Sequence, residues 1–233
     1  MDEAEAFVTA RREERLSASP LRTVVGEHRR NLLLAIGVRI SQTAASYFFT
    51  VFVLFYLEHE VPEHRGIGVV AVTTSAALSL VTGPLWGAIS DRWGRRRLFL
   101  FGAIGSALYI MPFFLIVDTH SPTLIFLGVL LGLNVLHDAM FGPLAAWFGE
   151  LFPTNVRYSG TSIAYQVGPV LGGGLLPLLA TSLFFLGGSR PWLICRYFLV
   201  LSAVTVAAAL AAPETNRRQD ESTTTTSPSL TRR

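Results

Sequence analysis

Six long apolar stretches, joined by short polar connections, decide what this chain can fold into. They run from Leu32 to Leu57, Gly66 to Ile89, Leu98 to Val117, Thr123 to Phe148, Ser159 to Leu186 and Pro191 to Ala212. A helix rising about 1.5 Å per residue crosses a hydrocarbon layer about 30 Å thick in roughly twenty residues, and each stretch reaches that length. The stretches take up 146 of the 233 residues but hold only three of the 35 charged side chains, Arg39, Asp138 and Arg196. Backbone polar groups have no water to bond to inside a bilayer, so each stretch must satisfy its own N–H and C=O groups as a helix. The expected fold is therefore an all-α membrane protein with six transmembrane helices. Residues 1–31 form an N-terminal segment, 32–212 the transmembrane domain, and 213–233 a polar tail, with the run STTTTSPS, expected to be disordered. Within the first segment, EAEAFVTARREER reads either as a short surface helix stopped near Pro20 or as a solvated stretch.

The net charge of +3 raises the question of nucleic-acid binding, and the placement of the basic residues answers it. All nineteen are arginine, and seventeen of them lie outside the apolar stretches. With the N-terminus on the cytoplasmic side, fifteen of those seventeen fall in cytoplasmic segments and two outside, in Arg65 and Arg190. This is the asymmetry of the positive-inside rule, so both termini are expected in the cytoplasm of a plasma-membrane protein, and the partner implied is a lipid bilayer, not nucleic acid. The first apolar stretch is too long for a signal-peptide core. The single cysteine, Cys195, lies within the sixth stretch and permits no disulfide framework or cysteine-based metal site within the chain. No HExxH, GxSxG or phosphate-loop motif is present, and no enzyme activity, metal or cofactor is expected.

A charged side chain at the centre of a spanning helix costs about 2.5–3.5 kcal/mol on insertion scales, so those that occur need a partner or water. In the first helix Arg39, Thr43, Ser46 and Thr50 share one face at helical spacing, flanked by Gln42 and Tyr47, and Arg39 is too deep to reach water simply by extending its side chain. In the fourth, Asn134, His137 and Asp138 share a face at a depth similar to Arg39. An Arg39–Asp138 ion pair is one expectation, with His137 and Asp138 as proton-relay candidates; the alternative is that both bond only to neighbouring backbone or Ser/Thr groups. The fifth helix offers Ser162, Gln166, Pro169 and Gly173 on one stripe, with Tyr165 beside it. Its run SGTSIAYQVGPVLGGGLLP is rich in glycine and proline, which serve either close helix packing and bending or direct ligand contact. The expected cavity lining is Arg39, Gln42, Thr43, Ser46, Tyr47, Asn134 and Gln166. Arg196 lies near a helix end and is expected to extend to the surface.

Between the second and third stretches stands GAISDRWGRRR, from Gly87 to Arg97, with five charges in eleven residues. It resembles the G-x-x-x-D-R-x-G-R-R loop of the major facilitator superfamily, found after the second helix of each six-helix half. ELFPTNVRYSG, from Glu150 to Gly160, is similar to the E-L-F-P-T-x-V-R-Y-x-G signature that follows helix ten in sugar porters and metabolite:proton symporters, and Pro213, Glu214 and Thr215 match the P-E-T that often closes helix twelve. VRISQTAASYFFTVFVLFYL, HDAMFGPLAAWFGELF and SGTSIAYQVGPVLGGGLLP resemble the metabolite:proton symporter branch, whose members carry proline and betaine, shikimate, 2-oxoglutarate or citrate.

The resemblance implies the C-terminal half of that fold, two inverted three-helix repeats whose first, second, fourth and fifth helices face a central cavity. It implies a secondary transporter for a small organic acid or zwitterion, with protons as the coupling ion, working by alternating access against a complementary six-helix half or a second copy. A different reading, an inactive split-gene remnant or membrane interaction module, stays open beside it. The resemblance also implies a cytoplasmic gate in which Asp91, Arg92, Arg95 and Arg96 meet Glu150 and Arg157. Family members usually carry Glu at the position of Gln42 and a small residue at that of Asp138, so the intramembrane acid has moved or the ion chemistry differs.

Overall fold

The computed structural model describes residues 20–215. A short helix, Pro20–Glu27, precedes six membrane-length helices: α1 (Arg29–Glu60), α2 (Pro62–Trp93), α3 (Arg95–Val117), α4 (Pro122–Leu151), α5 (Arg157–Leu186) and α6 (Trp192–Ala211). All six expected crossings are present, and no strand occurs among the described residues. Residues 3–15, the candidate surface helix, lie outside the described residues. The helix at Pro20–Glu27 starts where that candidate was expected to stop.

The packing has an internal symmetry. Helix α1 packs chiefly on α5 and α6, α4 packs chiefly on α2 and α3, and α3 meets α6. Exchanging α1 with α4, α2 with α5 and α3 with α6 leaves that pairing pattern unchanged. A three-helix shift along an up-and-down chain reverses direction, so the two units are inverted copies, as the family resemblance implied. Helices α1 and α4 are the most buried of the six, and α2 and α5 the least.

Small residues set the spacing within each unit. Helices α1 and α5 touch at Gly168 and Gly172, where an added Cβ would lie 2.4 Å from the Arg39 Cβ and 2.1 Å from the Ile40 carbonyl oxygen. In the matching contact of the other unit, a Cβ on Gly142 of α4 would lie 2.7 Å from the Gly87 nitrogen and 2.8 Å from the Gly83 carbonyl oxygen of α2. At these glycines, of the two uses open to the α5 run, close packing is the one observed. The interior between α1, α3, α5 and α6 is filled by rings: Phe48 meets Phe114 and Phe198 at centroid distances of 5.7 and 5.9 Å, and Phe49 meets Phe113 edge-on at 5.4 Å.

Three of the helices, α1, α4 and α5, contain a π-helical turn, at Phe48–Phe52, Leu131–His137 and Val170–Gly174. Such turns insert a residue into the helical register and concentrate at functional sites. These are the helices whose polar stripes stood out in the sequence. The turn in α4 ends at His137, directly before Asp138.

The docked chain extends further than the expected domain boundary at residue 212. Trp147 donates from Nε1 to the Pro213 carbonyl at 3.2 Å, and Thr215 is buried. A polar segment would not bury itself without partners, and these three residues have them; the remainder of the expected disordered tail lies outside the described residues.

Candidate functional site

The charges of α1 and α4 are joined through two neutral side chains. Arg39 donates from Nη1 to Gln42 Oε1. Gln42 donates from Nε2 to His137 Nε2 at 2.7 Å, and His137 donates from Nδ1 to Asp138 Oδ1 at 3.1 Å. The direction of these bonds follows from elimination: the Gln42 oxygen is occupied by Arg39, so its amide nitrogen faces the ring, and a ring nitrogen that accepts carries no proton. The network therefore assigns His137 as the neutral Nδ1–H tautomer. The expected direct Arg39–Asp138 ion pair does not form, because Gln42 and His137 occupy the space between the two helices and transmit the contact instead.

Asp138 is almost fully buried, with its side chain 2% exposed, and a bare carboxylate there would carry a desolvation cost of several kcal/mol. It is not bare: Ser79 donates to its Oδ2 at 2.8 Å and Thr82 donates to the same oxygen, beside the His137 bond. Asn134 donates from Nδ2 to the Ser75 carbonyl at 2.9 Å and to Ser79 Oγ at 3.0 Å, while Trp86 of α2 donates to the Asn134 carbonyl at 2.8 Å. The His137–Asp138 pair thus bonds Ser/Thr groups, and it reaches Arg39 only through Gln42.

Arg39 lies with its guanidinium carbon 4.5 Å from the centre of the Tyr165 ring, which in turn packs edge-on against Phe148 at 5.4 Å. At this distance the ring face attracts the cation without using any of its N–H donors. The Nε of Arg39 is buried and has no hydrogen-bond partner, and no carboxylate pairs with Arg39 among the described residues.

The remaining expected cavity residues divide. Gln42, Thr43 and Asn134 are buried, with Thr43 donating to Gln42 Oε1 at 3.4 Å. Tyr47 is 38% exposed, and its ring lies against Gly173 of α5. Ser46 is half-buried, and its carbonyl accepts the Thr50 hydroxyl, so Thr50 folds back on its own helix. Gln166 is exposed and contributes nothing to the network; its neighbour Tyr165 takes the place beside Arg39. Arg196 is exposed at its helix end, as expected. Sequence reasoning missed Ser79, Thr82 and Trp86, although Ser75, Ser79, Thr82 and Trp86 follow one another at the three- and four-residue spacing of a single helical face.

At the arginine-rich end a second polar cluster joins the three loop motifs. Arg95 donates from Nε to both oxygens of Glu150 at 2.9 Å, and from Nη1 to Ser90 Oγ at 3.2 Å, with Asp91 Oδ1 at 3.0 Å. Thr215 donates to Glu150, and Glu214 accepts the backbone N–H of Arg95 at 3.1 Å, capping the start of α3. Gly94 makes the turn between α2 and α3 with φ +96°, a conformation that a side chain strains, and a Cβ there would lie 2.8 Å from Glu214 Oε2.

Of the expected gate residues, Asp91, Arg95 and Glu150 meet directly. Arg96 donates instead to the Ala212 carbonyl at 3.2 Å, Arg157 donates to the Phe152 carbonyl at 3.5 Å, and Arg92 is exposed. Three of the six residues expected to form a gate thus lie in a cluster centred on Arg95, which Glu214 and Thr215 of the P-E-T segment also join. Gly94 explains the selection: the break it makes starts α3 at Arg95 and turns that side chain inward.

Comparison with known proteins decides the family. The model of the Major Facilitator Superfamily matches residues 34–232. The chain belongs to the major facilitator superfamily. Among curated relatives, it is 30% identical to the glycine betaine/proline/ectoine/pipecolic acid transporter OusA of Dickeya dadantii over 81% of this chain and 38% of that protein. It is 30% identical to the proline/betaine transporter of Escherichia coli K12 over 75% of this chain and 34% of that protein, and 31% identical to the shikimate transporter of the same strain over 65% and 34%. The chain thus spans 34–38% of the length of these relatives, all of them named as transporters and none as an enzyme. No solved structure matches. The six-helix, multi-pass fold of this superfamily member is the arrangement that the loop motifs implied.

Proposed function

We propose that this chain is a six-helix half of a secondary transporter of the metabolite:proton symporter type, carrying a small organic acid or zwitterion by alternating access. Protons are the coupling ion. Its place is the plasma membrane, with both termini cytoplasmic, and its partner is a complementary six-helix half or a second copy, to which the sparsely buried α2 and α5 offer their outer faces. The observation that carries this reading is Arg39: a guanidinium set within a spanning helix, over the Tyr165 ring, with a buried Nε–H that no group among the described residues accepts. A cation placed this way is a receptor for a carboxylate. The names of the relatives support the same chemistry, since proline, betaine and shikimate all carry one.

The cluster of Asp91, Arg95, Glu150, Glu214 and Thr215 acts in this reading as a clasp, made in one conformation and released in the other. The test is uptake of labelled glycine betaine, proline and shikimate into proteoliposomes containing this chain, alone and with a co-expressed six-helix half from a proline/betaine transporter. Uptake driven by an inward proton gradient, and its loss in Arg39→Gln, is expected; uptake that survives Arg39→Gln refutes the assignment of Arg39.

A further inference from the structure

The bond directions in the network make Gln42 more than a spacer. We propose that Gln42 is a positioning residue that couples protonation of His137 to release of Arg39, by rotation of its side-chain amide, so that a proton and a substrate carboxylate bind together. The proposal rests on the transporter reading above and adds to it the element that links the two ligands.

With His137 neutral, the chain runs in one sense: Arg39 donates to the Gln42 oxygen, the Gln42 nitrogen donates to His137 Nε2, and His137 Nδ1 donates to Asp138. A proton arriving from cavity water at Nε2 turns that atom from acceptor to donor, while Nδ1–H stays on Asp138 and now forms an ion pair with it. Two N–H groups then face each other across 2.7 Å. The amide resolves this by a half turn, which presents its oxygen to His137 and its NH2 to Arg39. Arg39 thereby loses its acceptor. Its buried Nε is already unpartnered, so a half-buried cation is left with donors and no anion, and a carboxylate entering beside Tyr165 satisfies it. Leaving Arg39 unpaired costs free energy when no substrate is present, and protonating His137 costs less when one is. The two ligands therefore promote each other's binding by the same factor, as reciprocity requires.

The surroundings leave His137 as the group that takes the proton. On its own helix it faces Asp138, which three side-chain donors hold as an acceptor, and the ring of Phe141, stacked at 5.9 Å. From α1 it faces Arg39 through Gln42. From α2 the network receives only the hydroxyls of Ser79 and Thr82 and the indole of Trp86. From α3 the titratable group within the membrane is Tyr109, whose hydroxyl is bound to the Gly128 carbonyl, and from α5 it is Tyr165, held beside Arg39. The His137 side chain is 13% exposed, which gives water a route to it. An amide is suited to the transmitting position because it both donates and accepts; a carboxylate there would take the proton itself.

The experiment uses the full chain in lipid vesicles with nitrogen-15 in histidine and arginine side chains, His137 and Arg39 being assigned by loss of signal in His137→Gln and Arg39→Gln. At pH 8 His137 is expected as the Nδ1–H tautomer, and in Gln42→Leu the Nε2–H form is expected to grow in. As His137 becomes doubly protonated, the Arg39 signal is expected to move in the native chain and to stay fixed in Gln42→Leu. Gln42→Glu, of the same shape but without an N–H, is expected to favour Nε2–H at pH 8 and guards against misfolding of the leucine variant.

In parallel, the affinity for glycine betaine, whose charges do not change between pH 8 and 5.5, is expected to tighten about tenfold on acidification in the native chain and less than about twofold in Gln42→Leu. An Nε2–H tautomer in the native chain overturns the proposal, and so does a tenfold tightening that persists without Gln42, or an affinity that ignores pH. Should betaine fail to bind at any pH, the substrate reading fails, and the Arg39 signal alone decides the switch: movement with His137 protonation supports it, and a fixed signal overturns it.

Discussion

Replacing Glu150 by Gln keeps the shape of the side chain and removes the charge at the centre of the arginine-rich cluster. Arg95, 9% exposed, makes its two 2.9 Å bonds to this carboxylate, and what remains afterwards is Ser90 and an Asp91 carboxylate that is 61% exposed. Breaking a fully buried pair by removing one partner costs about 3–5 kcal/mol. Glu150 is 19% exposed, and the glutamine oxygen still accepts the single Nε–H that the two carboxylate oxygens share, so the expected cost is lower, about 2 kcal/mol. Asp91→Asn removes an exposed partner and is expected to cost less than about 0.5 kcal/mol. Because Thr215 shares the Glu150 carboxylate, Thr215→Val and Glu150→Gln are expected to be non-additive. The assay is reversible unfolding of the chain in mixed micelles, followed by circular dichroism across a denaturant series, for each single variant and for the double. A Glu150→Gln cost within that of Asp91→Asn would refute the burial argument, and strict additivity with Thr215→Val would remove the docked C-terminal segment from the cluster.

Two further outcomes follow from the close contacts. Gly172→Ala puts a methyl group 2.1 Å from the Ile40 carbonyl oxygen, where backbone has to yield; a loss of about 1–3 kcal/mol is expected in the same unfolding assay, against under about 0.5 kcal/mol for alanine at Gly174, whose nearest neighbour would lie 3.7 Å away. Gly94→Ala combines a strained φ with a clash on Glu214 and is expected to cost about 1–3 kcal/mol; if the strain acts alone, the cost is the same in a Glu214→Ala background, whereas the contact predicts a smaller cost there.

Much of this fold was legible because lipid punishes charge. Arg39 and Asp138 stood out as two of the three charges in the apolar stretches, and both lie in the central network. Ser79 and Thr82 did not stand out, since hydroxyls in membrane helices commonly bond to their own backbone one turn back, as Thr73 does to Val69 and Thr181 to Pro177. Only a partner carboxylate on another helix distinguishes them. Gln166 and Tyr165 are neighbours and point about 100° apart, so the Arg39 network takes Tyr165 while Gln166 stays exposed, a distinction that a stripe drawn through small residues does not make. The π-helical turns carry no sequence signature that periodicity detects, and Thr50, placed on the Arg39 face by its spacing, bonds the Ser46 carbonyl one turn back as other membrane threonines do. Among four loop arginines composition makes no choice, and Gly94 makes it through the geometry of one turn.

The matched glycine contacts, α5 on α1 and α2 on α4, have a mechanical meaning. A seam made of backbone lying on backbone has few interlocking side chains, so sliding one helix along the other requires little repacking, whereas the ring-filled interface of α1 with α3 and α6 would have to be taken apart. The two smooth seams flank the Arg39–Asp138 network on opposite sides. The α2–α4 seam is also crossed by the hydrogen bonds of Ser79, Thr82 and Trp86, so a shift of α2 has to break them, whereas α5 rests on α1 through its glycines and the Tyr165 ring.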